Sequence, residues 1–248
     1  MNGRTDLAIV IPAYNEAAGI EASVNTLRAY LGTRPWSWEI RVVDDGSSDR
    51  TAAIVEAMAR GDERVRLQRE PHRGKGAAVR AGFLASTAAY RFLCDADLSM
   101  PVSELDRFMP PAFGEADIAI GTREGLGARR VGEPISRHLA GRAFNAIVRS
   151  LTVPGIQDTQ CGFKMFTAAA ADAIFPSVTV EGWAFDIEVL YIARRRGFRV
   201  REVPIEWHFR SESRVRMLPD SVAMLREVFR IRRRGRRGAY DLVAERQR

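Results

Sequence analysis

IRVVDDGSSD, residues 40–49, joins a short β-branched run to a pair of carboxylates and a cluster of helix-capping side chains. Ile40 to Val43 suits a strand, and Ser47, Ser48 or Asp49 can each cap a helix starting just beyond it. The same strand-then-helix unit recurs on either side. Leu7 to Ile11 is a β-branched run ended by Pro12, and Ile20, Val24, Leu27 and Leu31 follow at helical spacing. Val65 to Leu67 reads as a third strand, Ala77 to Ser86 as a helix, and Phe92 to Cys94 as a fourth strand. This alternation predicts an α/β fold with a mostly parallel, Rossmann-like sheet, helices on both faces, and ligands at the carboxyl ends of the strands. Three polar segments fall at those ends and line one rim: Pro12 to Glu16 (PAYNE), Asp44 to Asp49 (DDGSSD) and Asp95 to Asp97 (DAD).

The second half is less regular. Ile118 to Gly121 predicts a strand, Thr122 to Pro134 a Gly- and Arg-rich loop long enough to be functional, and Ser136 to Leu151 a helix. Val200 to Ile205 predicts a further strand. Near the C-terminus, Leu218, Val222, Leu225 and Phe229 form an apolar stripe opposite Arg226, Arg230, Arg233 and Arg237. The chain thus divides into one α/β domain over 1–217 and a basic amphipathic helix and tail over 218–248.

The 248 residues are 46% hydrophobic and 28% charged, which excludes disordered, collagen-like and disulfide-scaffold classes. Cys94 and Cys161 are far apart and form no CxxC pair, so no zinc knuckle is expected and the compartment is read as reducing. His72, His138 and His208 have no metal-ligand spacing. No stretch approaches the about 18–20 apolar residues that span a bilayer, and the N-terminus lacks signal-peptide character, so a cytoplasmic protein is expected. Net charge is +7, and Arg226 to Arg248 hold nine arginines against three acids. That basic arm suits an anionic partner, a phospholipid surface or nucleic acid. Apart from Phe229 of the apolar stripe, only Tyr240 in the tail offers a stacking aromatic, which argues against nucleic acid. Only Lys75 and Lys164 among 38 basic residues are lysine, so any one arginine carries little weight.

Asp95 and Asp97, leaving a strand end together, give hard oxygen ligands suited to Mg²⁺ or Mn²⁺, and such an ion could hold a diphosphate. Arg73-Gly74-Lys75-Gly76 lacks the spacing of a Walker motif, and no GxGxxG follows the first strand, so ATPase and dinucleotide readings weaken. Its glycines permit close backbone approach, and Lys75 is placed to reach a nucleotide or its phosphates.

PAYNE, VVDDGSSD and DAD together resemble the inverting glycosyltransferases of family 2, over about residues 6–215. The resemblance implies a GT-A fold with a mixed, mostly parallel sheet. It implies nucleotide-sugar contacts from Pro12, Ala13, Tyr14, Glu16, Asp44, Lys75, Asp95, Ala96 and Asp97, with Asp95 and Asp97 straddling the metal. Ser99 stands where related mannosyl enzymes place a glutamine ligand, so Ser99 or a water takes that metal position. Arg123 and Arg137 match arginines that bind a lipid phosphate, a role that suits the planar guanidinium fork. Arg214, where relatives carry lysine, would meet the donor phosphate.

DTQCGFK (158–164), Phe175-Pro176 and GWAFDIE (182–188) are similar to the dolichyl-phosphate glucose synthases within that family. This implies metal-dependent transfer of glucose from UDP-glucose to a polyprenyl (dolichyl) monophosphate, with inversion to a β-linked product. Asp97 and Asp186 are the carboxylates to test for orienting roles. An acceptor that is already anionic needs no strong general base, so rate would come from alignment and from charge neutralisation on the leaving group. GDP-mannose as donor, another acceptor, and a catalytically silent nucleotide-sugar sensor are the alternatives. The basic tail would hold such a protein peripherally on the cytoplasmic face of the membrane.

Overall fold

The computed structural model describes residues 5–209 and 217–241. Seven strands form one sheet, with β1 (Leu7–Ala13), β2 (Trp38–Asp45), β3 (Val65–Glu70) and β4 (Tyr90–Leu93) in one parallel set. Next in chain order come β5 (Ile118–Thr122), β6 (Arg129–Val131), β7 (Lys164–Thr167), β8 (Val200–Pro204) and β9 (Glu206–His208). The sheet order is β3-β2-β1-β4-β7-β5-β8, with β7 antiparallel to both its neighbours. The sheet is therefore mixed and mostly parallel. β2 and β4 flank β1 on opposite sides, so consecutive chain segments diverge there and leave a crevice at the carboxyl ends. Register sets Ala13 beside Asp44 and Val10 beside Leu93, which brings the three polar segments to one edge.

Period-two alternation along the strands sorts the core onto two faces. Leu7, Ile9, Ile11, Ile40 and Val42 pack toward α1 (Ile20–Leu31) and α2 (Thr51–Gly61). Val10 and Val43 pack toward α3 (Lys75–Ala85), α5 (Ala168–Ile174) and α6 (Phe185–Arg195). A further helix, α4 (Ile135–Leu151), lies on the rim, and α7 (Met217–Arg236) closes the second face.

Four sequence expectations change. α2 starts at Thr51 with Arg50 at its N-cap; Ser47 and Ser48 bond to Asn15 across the rim, and of the three expected caps only Asp49 serves the first turn, accepting from the Thr51 amide at 2.9 Å. α3 starts at Lys75, two residues before the expected Ala77. The loop over 122–134 contains β6, which pairs in parallel with β9 as a small second sheet. Finally, α7 buries Met224, Val228 and Ile231 against the domain, whereas Val222 and Phe229 of the expected stripe are exposed. Among the described residues no helix is long and apolar enough to cross a membrane.

Candidate active site

The carboxyl ends of β1, β2 and β4 and the first turn of α3 wall one side of a cavity of about 1260 Å³. Asp45 organises this side. Its carboxylate accepts from the Arg73 and Gly74 amides, each at 2.9 Å, and lies 2.8 Å from His72 Nδ1. The His72 ring stacks on Tyr14 with centroids 4.1 Å apart. Beyond Gly74, the Gly76 and Ala77 amides donate to the Glu181 carbonyl, and a Cβ on Gly76 would fall 2.4 Å from the Val180 carbonyl oxygen. The glycines thus seat backbone on backbone. Their amides are satisfied by protein, and Lys75 alone of this segment carries its charge into the cavity.

Lys75 Nζ lies 2.6 Å from Asp95 Oδ1. Burial by itself would depress the Lys75 ammonium, but Asp95, Asp186 and Asp97 outweigh it and hold its pKa above the usual range. The other side of Asp95 rests on Gly162, where a Cβ would come 1.8 Å from Oδ2, so only glycine fits there. Asp97 accepts from the Ser99 amide at 3.1 Å, and burial followed by the Asp95 charge pushes its pKa up. A carboxyl raised by its neighbour marks excess negative charge, which a divalent cation relieves. With Ser99 beside Asp97 on the cavity wall, this oxygen-rich donor set fits Mg²⁺ or Mn²⁺.

Deeper in the cavity wall, Asp186 pairs with Lys164 at 2.7 Å, and Lys164 also donates to the Cys161 carbonyl. Both side chains are buried. Burial raises the Asp186 pKa in spite of Lys164 and Lys75. Cys161 is a free, buried thiol pushed up to about 12 by burial, which makes it inert as a nucleophile.

On the opposite side, Arg123 Nε and Nη2 clasp Asp158 at 2.6 and 2.8 Å, and the Arg123 amide adds a bond of 3.1 Å. Burial would raise the Asp158 carboxyl, yet Arg123 overrides it and holds it at about 2. Arg123 stacks over Trp207 at 5.2 Å and Arg137 over Phe209 at 5.1 Å. Arg130 joins them, held by Glu124 at 2.7 Å and Glu133 at 2.6 Å. One edge of the Arg123 fork is therefore occupied by Asp158, which leaves its other N–H groups for a ligand.

Pro12, Ala13, Tyr14, Glu16, Lys75, Asp95, Ala96, Asp97, Ser99, Arg123, Arg137 and Asp186 all line this cavity. Asp44 and Asp45 are both buried; Asp44 accepts from the Ser47 amide, and its neighbour Asp45 lines the cavity. Arg214 lies outside the described residues. Sequence reasoning missed His72, Gly162, Arg130, Trp183 and Trp207 on the wall. Gly162 and Trp183 stand inside the two quoted motifs, whereas His72 and Arg130 carry no local signal.

A match to the family described as Glycosyl transferase family 2 spans residues 8–175. The dolichyl-phosphate beta-glucosyltransferase ALG5C of Trichomonas vaginalis is 38% identical over 220 residues, covering 84% of this chain and 65% of that protein. The dolichyl-phosphate beta-glucosyltransferase of Dictyostelium discoideum is 32% identical, covering 91% of this chain and 73% of that protein. This chain thus spans just under two thirds of the first relative's length and nearly three quarters of the second's. Among solved structures, glucosyl-3-phosphoglycerate synthase from Mycobacterium tuberculosis, in complex with Mn²⁺, UDP-glucose and phosphoglyceric acid, superposes with a TM-score of 0.63. It is 21% identical and covers 94% of this chain and 80% of that one, a likeness of fold, GT-A.

Proposed function

The chain belongs to glycosyl transferase family 2, and from that premise we propose that it moves glucose from UDP-glucose to a polyprenyl monophosphate. One observation carries the proposal: a single cavity joins strand-end carboxylates and a lysine on one side to an arginine cluster on the other, under a helix with exposed apolar side chains. The first side suits a nucleoside diphosphate and the second the phosphate of the acceptor. Helix α4 supplies the apolar element. It turns Arg137, His138, Phe144 and Asn145 to the cavity and leaves Ile135, Leu139 and Ile147 exposed at 78%, 59% and 47%. Val148 is the one buried residue in its seventeen. An uncovered apolar face beside the acceptor arginines suits a lipid tail at a bilayer better than a small soluble acceptor such as phosphoglycerate. With the basic face of α7, it would hold the protein peripherally on the cytoplasmic side of the membrane.

Asp95, Asp97 and Ser99 would hold the cation. When bound, a divalent ion supplies charge neutralisation on the departing nucleoside diphosphate. Tyr14 and Glu16 would bound the nucleoside, and Lys75 the diphosphate. Arg123, fixed by Asp158, and Arg137 would orient the acceptor phosphate for in-line attack at the anomeric carbon, giving inversion. Asp186, pinned by Lys164 on the cavity wall, would orient the sugar.

The test is transfer of labelled sugar from UDP-glucose, and in parallel from GDP-mannose, to a polyprenyl phosphate with Mn²⁺ or with EDTA. Glucolipid formed by wild type with metal, and lost in Asp97→Ala, is expected. Mannolipid alone would overturn the donor, and no lipid product despite UDP-glucose binding would overturn the acceptor.

A further inference from the structure

Lysine is almost absent from this chain, yet both of its lysines are ion-paired to aspartates at the cavity. Lys164 is locked, buried between Asp186 and the Cys161 carbonyl. Lys75 is held differently. Its backbone is fixed on both sides, through Gly74 to Asp45 and through Gly76 to Glu181. Its side chain reaches Asp95 by a single 2.6 Å contact, with the Trp183 ring centroid 5.5 Å from Nζ. An ammonium on a flexible stem can leave one anion for another, which a bidentate arginine fork resists.

Asp95 has little freedom of its own, because Gly162 backs one oxygen and Lys75 covers the other. Two carboxylates and a hydroxyl leave part of an octahedral cation's shell unfilled. Among the described residues no group of three or more His, Cys, Asp or Glu stands ready to hold a metal alone. A cation entering without a diphosphate would meet the Lys75 charge at close range, whereas a diphosphate entering with it offers the ammonium a new anion and completes the shell.

We propose that Lys75 is the resident counter-ion of Asp95, excluding the bare divalent cation and transferring to the donor's diphosphate when metal and nucleotide enter together. The inference rests on the reading of this cavity as a nucleotide-sugar site. It makes metal and nucleotide binding mutually dependent through one side chain. Removing that side chain has effects of opposite sign: bare metal binds more tightly and nucleotide more weakly. A purely structural lysine would weaken both.

The experiment titrates Mn²⁺ against the whole protein by the electron paramagnetic resonance signal of free Mn²⁺, with and without UDP. It compares wild type with Lys75→Met, Lys75→Gln and Lys75→Arg. Wild type is expected to bind bare Mn²⁺ weakly and to gain at least about tenfold with UDP. Lys75→Met and Lys75→Gln are expected to bind bare Mn²⁺ about tenfold more tightly and to lose most of the gain from UDP. Lys75→Arg, which keeps the charge, should leave bare Mn²⁺ weak. Unchanged or weaker bare-Mn²⁺ binding in Lys75→Met and Lys75→Gln, with UDP still bound by wild type, overturns this inference alone. Absence of UDP binding to wild type at any Mn²⁺ concentration overturns the nucleotide-sugar reading and this inference with it.

Discussion

The two sides of the cavity are built by different means. On the β1, β2 and β4 side, side chains stand at strand ends that leave fully buried runs, and Asp45 and Asn15 tie the loops through backbone amides. On the Arg123 side, positions are set by ion pairs and aromatic stacks between distant segments, Arg123 with Asp158 and Trp207 above all. The helix over that side, α4, has almost no core of its own. The first side is a framework fixed by the sheet, and the second is a charged clasp on an exposed scaffold, the arrangement expected where a partner completes the surface.

The contrast breaks most sharply at the clasp. Asp158→Asn removes the buried partner of a part-exposed guanidinium and is expected to cost about 3 kcal/mol, read from denaturant unfolding. The linked pH profile checks the cause. The folded carboxyl titrates at about 2, below its unfolded value of about 4, so the stabilisation is complete above about pH 4 and disappears as pH falls through 2. Asp158→Asn should flatten that acid limb.

On the framework side, Gly162→Ala places a methyl against Asp95 and should lower turnover by about 100-fold. Thermal unfolding would remain cooperative, since the clash falls on a part-exposed side chain at the cavity and not on the core. Equal loss of cooperativity would show that Gly162 serves the fold, not the carboxylate.

Leu139→Glu on the bare face of α4 should reduce binding to anionic vesicles by about tenfold, the worth of one buried leucine. Turnover on a short, water-soluble acceptor should be unchanged, and an equal loss on both acceptors would put Leu139 in the cavity. The smallest effect belongs to Tyr240→Phe. The Tyr240 hydroxyl donates to buried Glu188 at 2.6 Å, and its loss should cost about 1 kcal/mol in thermal unfolding.

Legibility followed the same division. Residues 7–97 announce their strands through β-branched runs, and each polar segment after a run marks a strand end. Hence Asp95, Asp97 and the Pro12 to Glu16 segment lie on the cavity wall as expected. The choice between Asp44 and Asp45 was not legible, because adjacent strand residues point to opposite faces and the turn after β2 decides which one meets the cavity. β6 and β9 were invisible as strands, since three residues carry no period and their pairing spans more than seventy positions. α7 misled for a related reason: it has two apolar faces, and sequence alone ranks the larger side chains, not the face the domain covers.

By itself the sequence determined the alternation of strand and helix, the mixed α/β class and the carboxylates at the strand ends, because burial period and turn chemistry are local properties of the chain. Only the tertiary structure decided that Lys75 covers Asp95, that Gly162 backs it, and that Asp158 clasps Arg123 from 35 residues away. Those pairings have no local signature. They depend on which strand ends the sheet order and register bring within a few ångströms, and the falloff of charge interactions with distance makes that proximity decisive.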